Sequence, residues 1–238
     1  MFDVIRIAEY FQCLFIERVN RFVVKVRMDN EEFKAHINNT GRLDSLFVKG
    51  FTCFCTLING RKLKYRLFAI ESPNNRYFSI IDTSLRMKAF EKMIEKNLID
   101  DIKGFDFKRN PRFGDSVFDY LLFNKKKQII AEIKSAVMFG DGFSMYPDAP
   151  TKRGERHFEE LIKLRKEGLK TMIFFVSSVP NVKGFKANKK VSSKIAELLI
   201  EAKRTGVVIK SFNILFSPEK SVIFSKTISF LFSINKNF

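Results

Sequence analysis

Ser116–Phe123 reads SVFDYLLF, Asn124–Lys127 reads NKKK, and Gln128–Val137 reads QIIAEIKSAV. The outer stretches alternate apolar and polar residues as strands do, and the lysine-rich middle is a polar turn, so the segment predicts a β-hairpin. A hairpin centred between Lys125 and Lys126 sets Asp119 directly opposite Glu132, with Cβ atoms about 4.5–5.5 Å apart on one face. Lys134, two residues further along, points the same way. Phe118, Tyr120 and Leu122 alternate with Asp119 on one strand, and Ala131, Ile133 and Val137 with Glu132 and Lys134 on the other. A one-residue slip would exchange the charged and apolar sets, so the pattern specifies this register.

Two facing carboxylates repel unless a cation lies between them. A hard divalent ion such as Mg²⁺ or Mn²⁺, which prefers oxygen ligands and keeps several waters, suits the pair. Lys134 beside it would position a water or offset charge on a phosphate under attack. The rival reading is an ordinary solvated sheet face. Glu-x-Lys recurs at Glu32–Lys34 and Glu201–Lys203, but neither of those has a carboxylate set across a hairpin from it.

The rest of the chain bounds what such a site would serve. Its 238 residues are 45% hydrophobic, enough for a substantial core, and Phe is used 28 times while Trp is absent. Forty-three basic against 26 acidic side chains give a formal charge of +17. A chain this basic attracts polyanions, nucleic acid above all. No lysine-rich amphipathic segment or lipidation signal points to a membrane surface. No apolar run is long enough to span a bilayer, the start MFDVIRIAEYFQ is no secretory signal, and a cytoplasmic location follows by default. The three cysteines, Cys13, Cys53 and Cys55, are too few for a four-ligand zinc site. Oligomeric state is left open.

Residues 1–82 read as five strands, Gln12–Val19, Arg21–Met28, Glu32–Ile37, Thr52–Leu57 and Leu63–Ile70, with Tyr77–Ile81 leading out. A short helix is expected in Asn38–Phe47 (NNTGRLDSLF). Five strands with a helix between the third and fourth is the order of an OB-type barrel, though other small β-barrels share it. Lys25 and Arg27 alternate with Val24 and Val26, and Lys62, Lys64 and Arg66 with Leu63, Tyr65 and Leu67, giving a positive face that would suit a phosphate backbone. From residue 83 to 238 the pattern becomes α/β: helices at Thr83–Asn97, Arg153–Glu167 and Val191–Arg204, the last ended by Gly206; strands at Phe105–Asn110, the hairpin, Thr171–Val176, Val207–Phe216 and Ser221–Phe232.

VNRF (Val19–Phe22), NTGRL (Asn39–Leu43), KYRL (Lys64–Leu67), FDYLL (Phe118–Leu122), EIKS (Glu132–Ser135), YPDAPTKRG (Tyr146–Gly154) and HFEEL (His157–Leu161) occur in one order. In that order the chain resembles the sugar fermentation stimulation protein A family. The resemblance implies an N-terminal OB-like β-barrel followed by a PD-(D/E)xK nuclease-like α/β domain, in proteins described as DNA-binding and linked in bacteria to regulation of sugar-utilisation genes. It implies that Asp119 and Glu132 are the metal-binding acids and Lys134 the catalytic lysine, the three residues the hairpin had selected. The superfamily often adds an acid from the first helix, where Glu91 and Glu95 are candidates, although Met87 stands where asparagine is expected. Asp148 either approaches the metal or braces its loop, and His157, near the start of the second helix, makes a structural hydrogen bond or takes part in proton transfer. Arg42, Lys152 and Arg153 join the candidate nucleic-acid contacts. The expected function is DNA binding with metal-dependent phosphodiester hydrolysis. The alternatives are a non-catalytic DNA-binding regulator and, from the barrel alone, an RNA-binding protein.

Overall fold

The computed structural model describes residues 2–72, 77–220 and 222–227. Its opening strand β1 (Phe2–Arg6) is followed by β2 (Phe11–Asn20), β3 (Val23–Met28), β4 (Glu31–His36), β5 (Thr52–Leu57) and β6 (Tyr65–Ile70). The ladder runs β4-β3-β2-β5-β6, and a parallel pairing of Ala35 with Tyr65 and His36 with Arg66 joins β4 to β6. That contact closes a five-stranded barrel and removes its edges. Alternate residues fill the interior, among them Phe15, Val24, Val26, Ala35, Leu67 and the thiols of Cys13, Cys53 and Cys55. The segment expected to carry a short helix between β4 and β5 forms turns instead. Leu43 takes φ +57°, and its carbonyl accepts from the N–H groups of Leu46 and Phe47. A left-handed residue at that point cannot continue a right-handed helix.

β7 (Phe78–Ile80) pairs with β6 and with a strand of the second half, so the sheet does not stop at the barrel. Helix α1 (Thr83–Glu95) follows at once, capped by Asp82, whose side chain accepts from the Leu85 N–H. Then come β8 (Asp106–Arg109), the two-residue strands β9 (Arg112–Phe113) and β10 (Ser116–Val117), β11 (Tyr120–Phe123) and β12 (Gln128–Ala136). A small hairpin follows, β13 (Met138–Gly140) and β14 (Phe143–Tyr146), before α2 (Lys152–Lys166), β15 (Lys170–Ser177), β16 (Gly184–Ala187), α3 (Ser193–Thr205), β17 (Val208–Ser217) and β18 (Val222–Thr227). The remainder of the expected final strand, residues 228–232, lies outside the described residues.

The large sheet runs from the barrel through β7-β17-β15-β12-β11-β8, with β18 pairing β17 and β1 pairing β18. β15 is parallel to both neighbours, β12 and β17. Such a strand is buried on both faces, which is why Met172–Val176 (MIFFV) is continuously apolar. Phe174 packs with Phe90 and Phe212 on the α1 side, whereas Phe175 packs with Phe158 and Phe185 under α2 and α3. β13, β14 and β16 form a separate three-stranded sheet, β14 and β16 being parallel. Strands of three or four residues carry too little alternation to be read from sequence.

Candidate functional site

The hairpin forms in the expected register: Tyr120 pairs with Ala131, Leu121 with Ile130, Leu122 with Ile129. Its turn is held by the Asn124 side chain, whose oxygen accepts from the N–H groups of Lys126 and Lys127, an Asx arrangement that does the work of a glycine-bearing turn. The first strand is broken where one continuous strand was expected. β10 ends at Val117 and β11 starts at Tyr120, while Phe118 N–H reaches Pro111 O and Asn110 N–H reaches Asp119 O. Asp119 therefore sits just off the end of the β11 ladder, still beside Glu132. Its N–H donates to Glu132 Oε2 at 3.2 Å, and its Oδ2 accepts from Ile133 N–H at 2.8 Å.

Glu132 lies on the face of β12 that packs under α2, and only 2% of it is exposed. Its Oε1 accepts from Lys134 Nζ at 2.6 Å and lies 2.6 Å from His157 Nδ1. Arg153 Nε donates to His157 Nε2 at 3.4 Å, which leaves Nδ1 as the protonated nitrogen facing Glu132. Lys134 also lies over the Phe158 ring, 5.8 Å from its centroid. The electrostatics separate the two acids. Burial, then the Glu132 charge, push the Asp119 carboxyl up to about 6. Burial acts on Glu132 in the same direction, but Lys134 and His157 outweigh it and hold that carboxyl below its ordinary value. One acid is thus firmly ionised and the other poised near neutrality, the kind of separation found where pairs of titratable groups are tuned for chemistry. Among the described residues no group of three or more His, Cys, Asp or Glu side chains is arranged to hold a metal ion. The acids that converge are the pair Asp119 and Glu132.

The accessory residues divide. His157 joins the cluster. Glu91 does not: it is buried on the α1 side of the sheet, where Arg109 binds both its oxygens and the Tyr120 hydroxyl donates to Oε1 at 2.7 Å. Glu95 is bound to Lys92 at 2.6 Å on the exposed face of α1. Asp148 lies against the barrel; a Cβ on Gly41 would collide with its Oδ2, so only glycine allows this approach. NTGRL and YPDAPTKRG therefore meet in space. At Gly154 a Cβ would lie 2.5 Å from the Tyr146 hydroxyl, which fixes the glycine of the second motif. Thr151 caps α2 by accepting from Gly154 N–H, leaving Lys152 and Arg153 in the first turn, where Lys152 pairs with Glu155.

The expected basic stripe on the barrel is only partly a stripe. Arg27 is exposed on β3, but Lys25 is bracketed by Glu17 at 3.2 Å and Glu32 at 3.6 Å. Lys62 and Lys64 are exposed in the loop before β6 rather than on it, and Arg66 Nη1 is 3.7 Å from Asp82. Arg42 is exposed on the 38–46 loop. Two arginines were missed. Arg18 donates to the carbonyls of Gly41 (2.6 Å), Arg42 (3.0 Å) and Arg21 (3.0 Å), clamping that loop; no sequence spacing signals such a contact. Arg86 is 3% exposed on α1 between the charges of Asp82 and Asp148. Its three guanidinium nitrogens have no hydrogen-bond partner among the described residues. A signal existed for Arg86, because it shares a helical face with Ala89, Phe90 and Met93, where an apolar residue belongs.

Known family models cover both halves of the chain. The model of the sugar fermentation stimulation protein RE domain matches residues 84–220, and that of the SfsA N-terminal OB domain residues 16–80. The chain belongs to the sugar fermentation stimulation protein family. A family homolog from Pyrococcus furiosus is 43% identical over 219 residues, covering 92% of this chain and 94% of its own. One from Archaeoglobus fulgidus is 37% identical over 191 residues, covering 80% and 83%. The solved structure of Pyrococcus furiosus SfsA in complex with Ca²⁺ superposes with a TM-score of 0.91 at 40% identity, covering 97% of this chain and all of that one. Both the OB barrel and the mixed α/β second half are thereby established. No helix among the described residues is long and apolar enough to cross a membrane.

Proposed function

We propose that this family member binds DNA and hydrolyses its phosphodiester bonds at Asp119, Glu132 and Lys134 with a divalent cation. The observation that carries the reading is the convergence of two acids from adjoining strands with a lysine 2.6 Å from one of them. The donor set fits the ion. Mg²⁺ is commonly held by one or two carboxylates plus substrate phosphate oxygens and water, and the Ca²⁺ in complex with Pyrococcus furiosus SfsA is a hard cation of the same preference. Asp119 and Glu132 would hold it, with the Ile133 carbonyl a further oxygen donor, and it would supply Lewis-acid polarisation of the phosphate.

This chain's own groups do the rest. Lys134, buried to 11% side-chain exposure, positions the attacking water and offsets charge on the phosphate. His157 fixes the Glu132 carboxylate from beneath, as groups behind a metal ligand do. Arg153 and Lys152 at the start of α2, together with Arg27, Arg42, Lys62 and Lys64, are cations available to the flanking backbone. The test is incubation of the full chain with single-stranded, duplex and branched DNA and Mg²⁺ or Mn²⁺. Cleavage that Asp119→Ala abolishes supports the reading. Binding without cleavage of any of these substrates overturns the enzymatic half and leaves a DNA-binding regulator, with RNA competition deciding the preferred nucleic acid.

A further inference from the structure

Where the two family motifs meet there is a cavity of about 190 Å³ that the hydrolytic site does not use. One wall is the 42–45 turn of the barrel half, the other is the start of β13 together with Asp148. Leu43, Val137 and Met138 make its lining largely apolar, and Asp44 and Asp148 bring carboxylates to it. Arg42 sits at the same place, exposed.

Three observations mark this as a built site. Arg18 ties the turn at the carbonyls of Asn39, Gly41 and Arg42, so the wall is preorganised. Leu43, a bulky residue, is held at φ +57°, a conformation that persists only where surrounding structure enforces it. Arg86, which feels the charge of the cavity residue Asp148, is buried with guanidinium donors that have no partner among the described residues. The cavity is also near the acidic site in the chain: Val137 on its wall comes three residues after Lys134.

We infer that this cavity receives an unpaired nucleobase of the DNA strand whose backbone crosses the acidic site. An apolar slot with carboxylates matches a flat ring that carries amino donors on its edge, and a carboxylate accepting from the cytosine amino group is a standard pairing. Arg42 at the same place suits the phosphate of that nucleotide. Thymine, which has no exocyclic amine, fits less well. The inference rests on the nucleic-acid reading above and adds to it where a base goes.

The test is binding, not cleavage. The full chain is titrated in EDTA with a short single-stranded oligonucleotide, with its counterpart carrying abasic spacers, and with dC and dT homopolymers of equal length. The expected result is about tenfold tighter binding to the base-bearing strand, dC above dT, with equal salt slopes. Ser45→Trp, which fills the cavity, should erase the preference and leave affinity for the abasic strand unchanged; Met138→Ala, which removes part of the lining, should reduce it. Equal wild-type affinity for base-bearing and abasic strands, or full preference retained in a folded Ser45→Trp variant, overturns the pocket while leaving DNA binding in place. Absence of binding to either strand overturns the nucleic-acid reading and the pocket together.

Discussion

His157 Nδ1 lies 2.6 Å from Glu132 Oε1, so α2 is fastened to the acid on β12 at a point where both side chains are almost fully buried. The contact leaves Glu132 Oε2 directed toward Asp119 N–H. His157→Ala is therefore expected to weaken Mn²⁺ binding about 10–100-fold, read by calorimetric titration. It should also cost about 1–3 kcal/mol of folding stability, because Glu132 loses a partner in a buried setting. Unchanged Mn²⁺ affinity would remove His157 from any role in positioning the acid.

Asp119 carries a stability cost that the fold tolerates. Its folded carboxyl titrates at about 6 against an ordinary value of 3.8. A raised carboxyl contributes stability that is full below pH 3.8 and is lost as pH rises through about 6. At pH 7.5 the ionised form is the penalised one, so Asp119→Asn, whose amide oxygen still accepts from Ile133 N–H, should stabilise the metal-free protein by about 1–3 kcal/mol while abolishing cleavage. Urea denaturation at pH 4 and pH 7.5 checks the sign: the gain should be present at the higher pH and small at the lower.

Glu91 is expected to be structural. Glu91→Gln leaves the Asp119–Glu132 side of the sheet untouched and should preserve the proposed cleavage within about twofold, but lose about 1–3 kcal/mol through the weakened contacts to Arg109 and Tyr120. In a chain of this size that is roughly 2–4 °C in melting temperature per kcal/mol. A large loss of activity with normal Mn²⁺ affinity and melting temperature would contradict this assignment.

Barrel lysines should differ in their use. Lys62 and Lys64 are exposed, whereas Lys25 is neutralised by Glu17 and Glu32. Replacing Lys62 or Lys64 by alanine should lower the slope of log affinity against log salt by about one each where the side chain contacts phosphate. Lys25→Ala should change it much less. Fluorescence anisotropy over a salt series reads both.

Much of this molecule is visible in its residues, for identifiable reasons. Alternation fixed the β11–β12 register because a slipped hairpin would exchange apolar and charged faces. The helical spacing of Phe158, Leu161 and Leu164 gave α2 for the same kind of reason. Glu91 shows the limit. Its period says that one side of α1 is buried, but nothing in it says which face of the sheet that side covers. The composition of loop 38–47 permits a helix, but the loop forms turns, with Leu43 left-handed beside the Gly41 and Arg42 carbonyls that Arg18 clamps from far along the chain. The stripe through Lys62 and Lys64 is only partial because β6 begins at Tyr65, after both lysines.

The ladder running from β6 through β7 into β17 makes the barrel and the α/β half one piece of woven backbone. Swinging one half against the other would break the inter-strand bonds that β7 makes to β6 and β17. The spacing between the barrel's exposed cations and the Asp119–Glu132 pair is set by that shared sheet rather than by a linker.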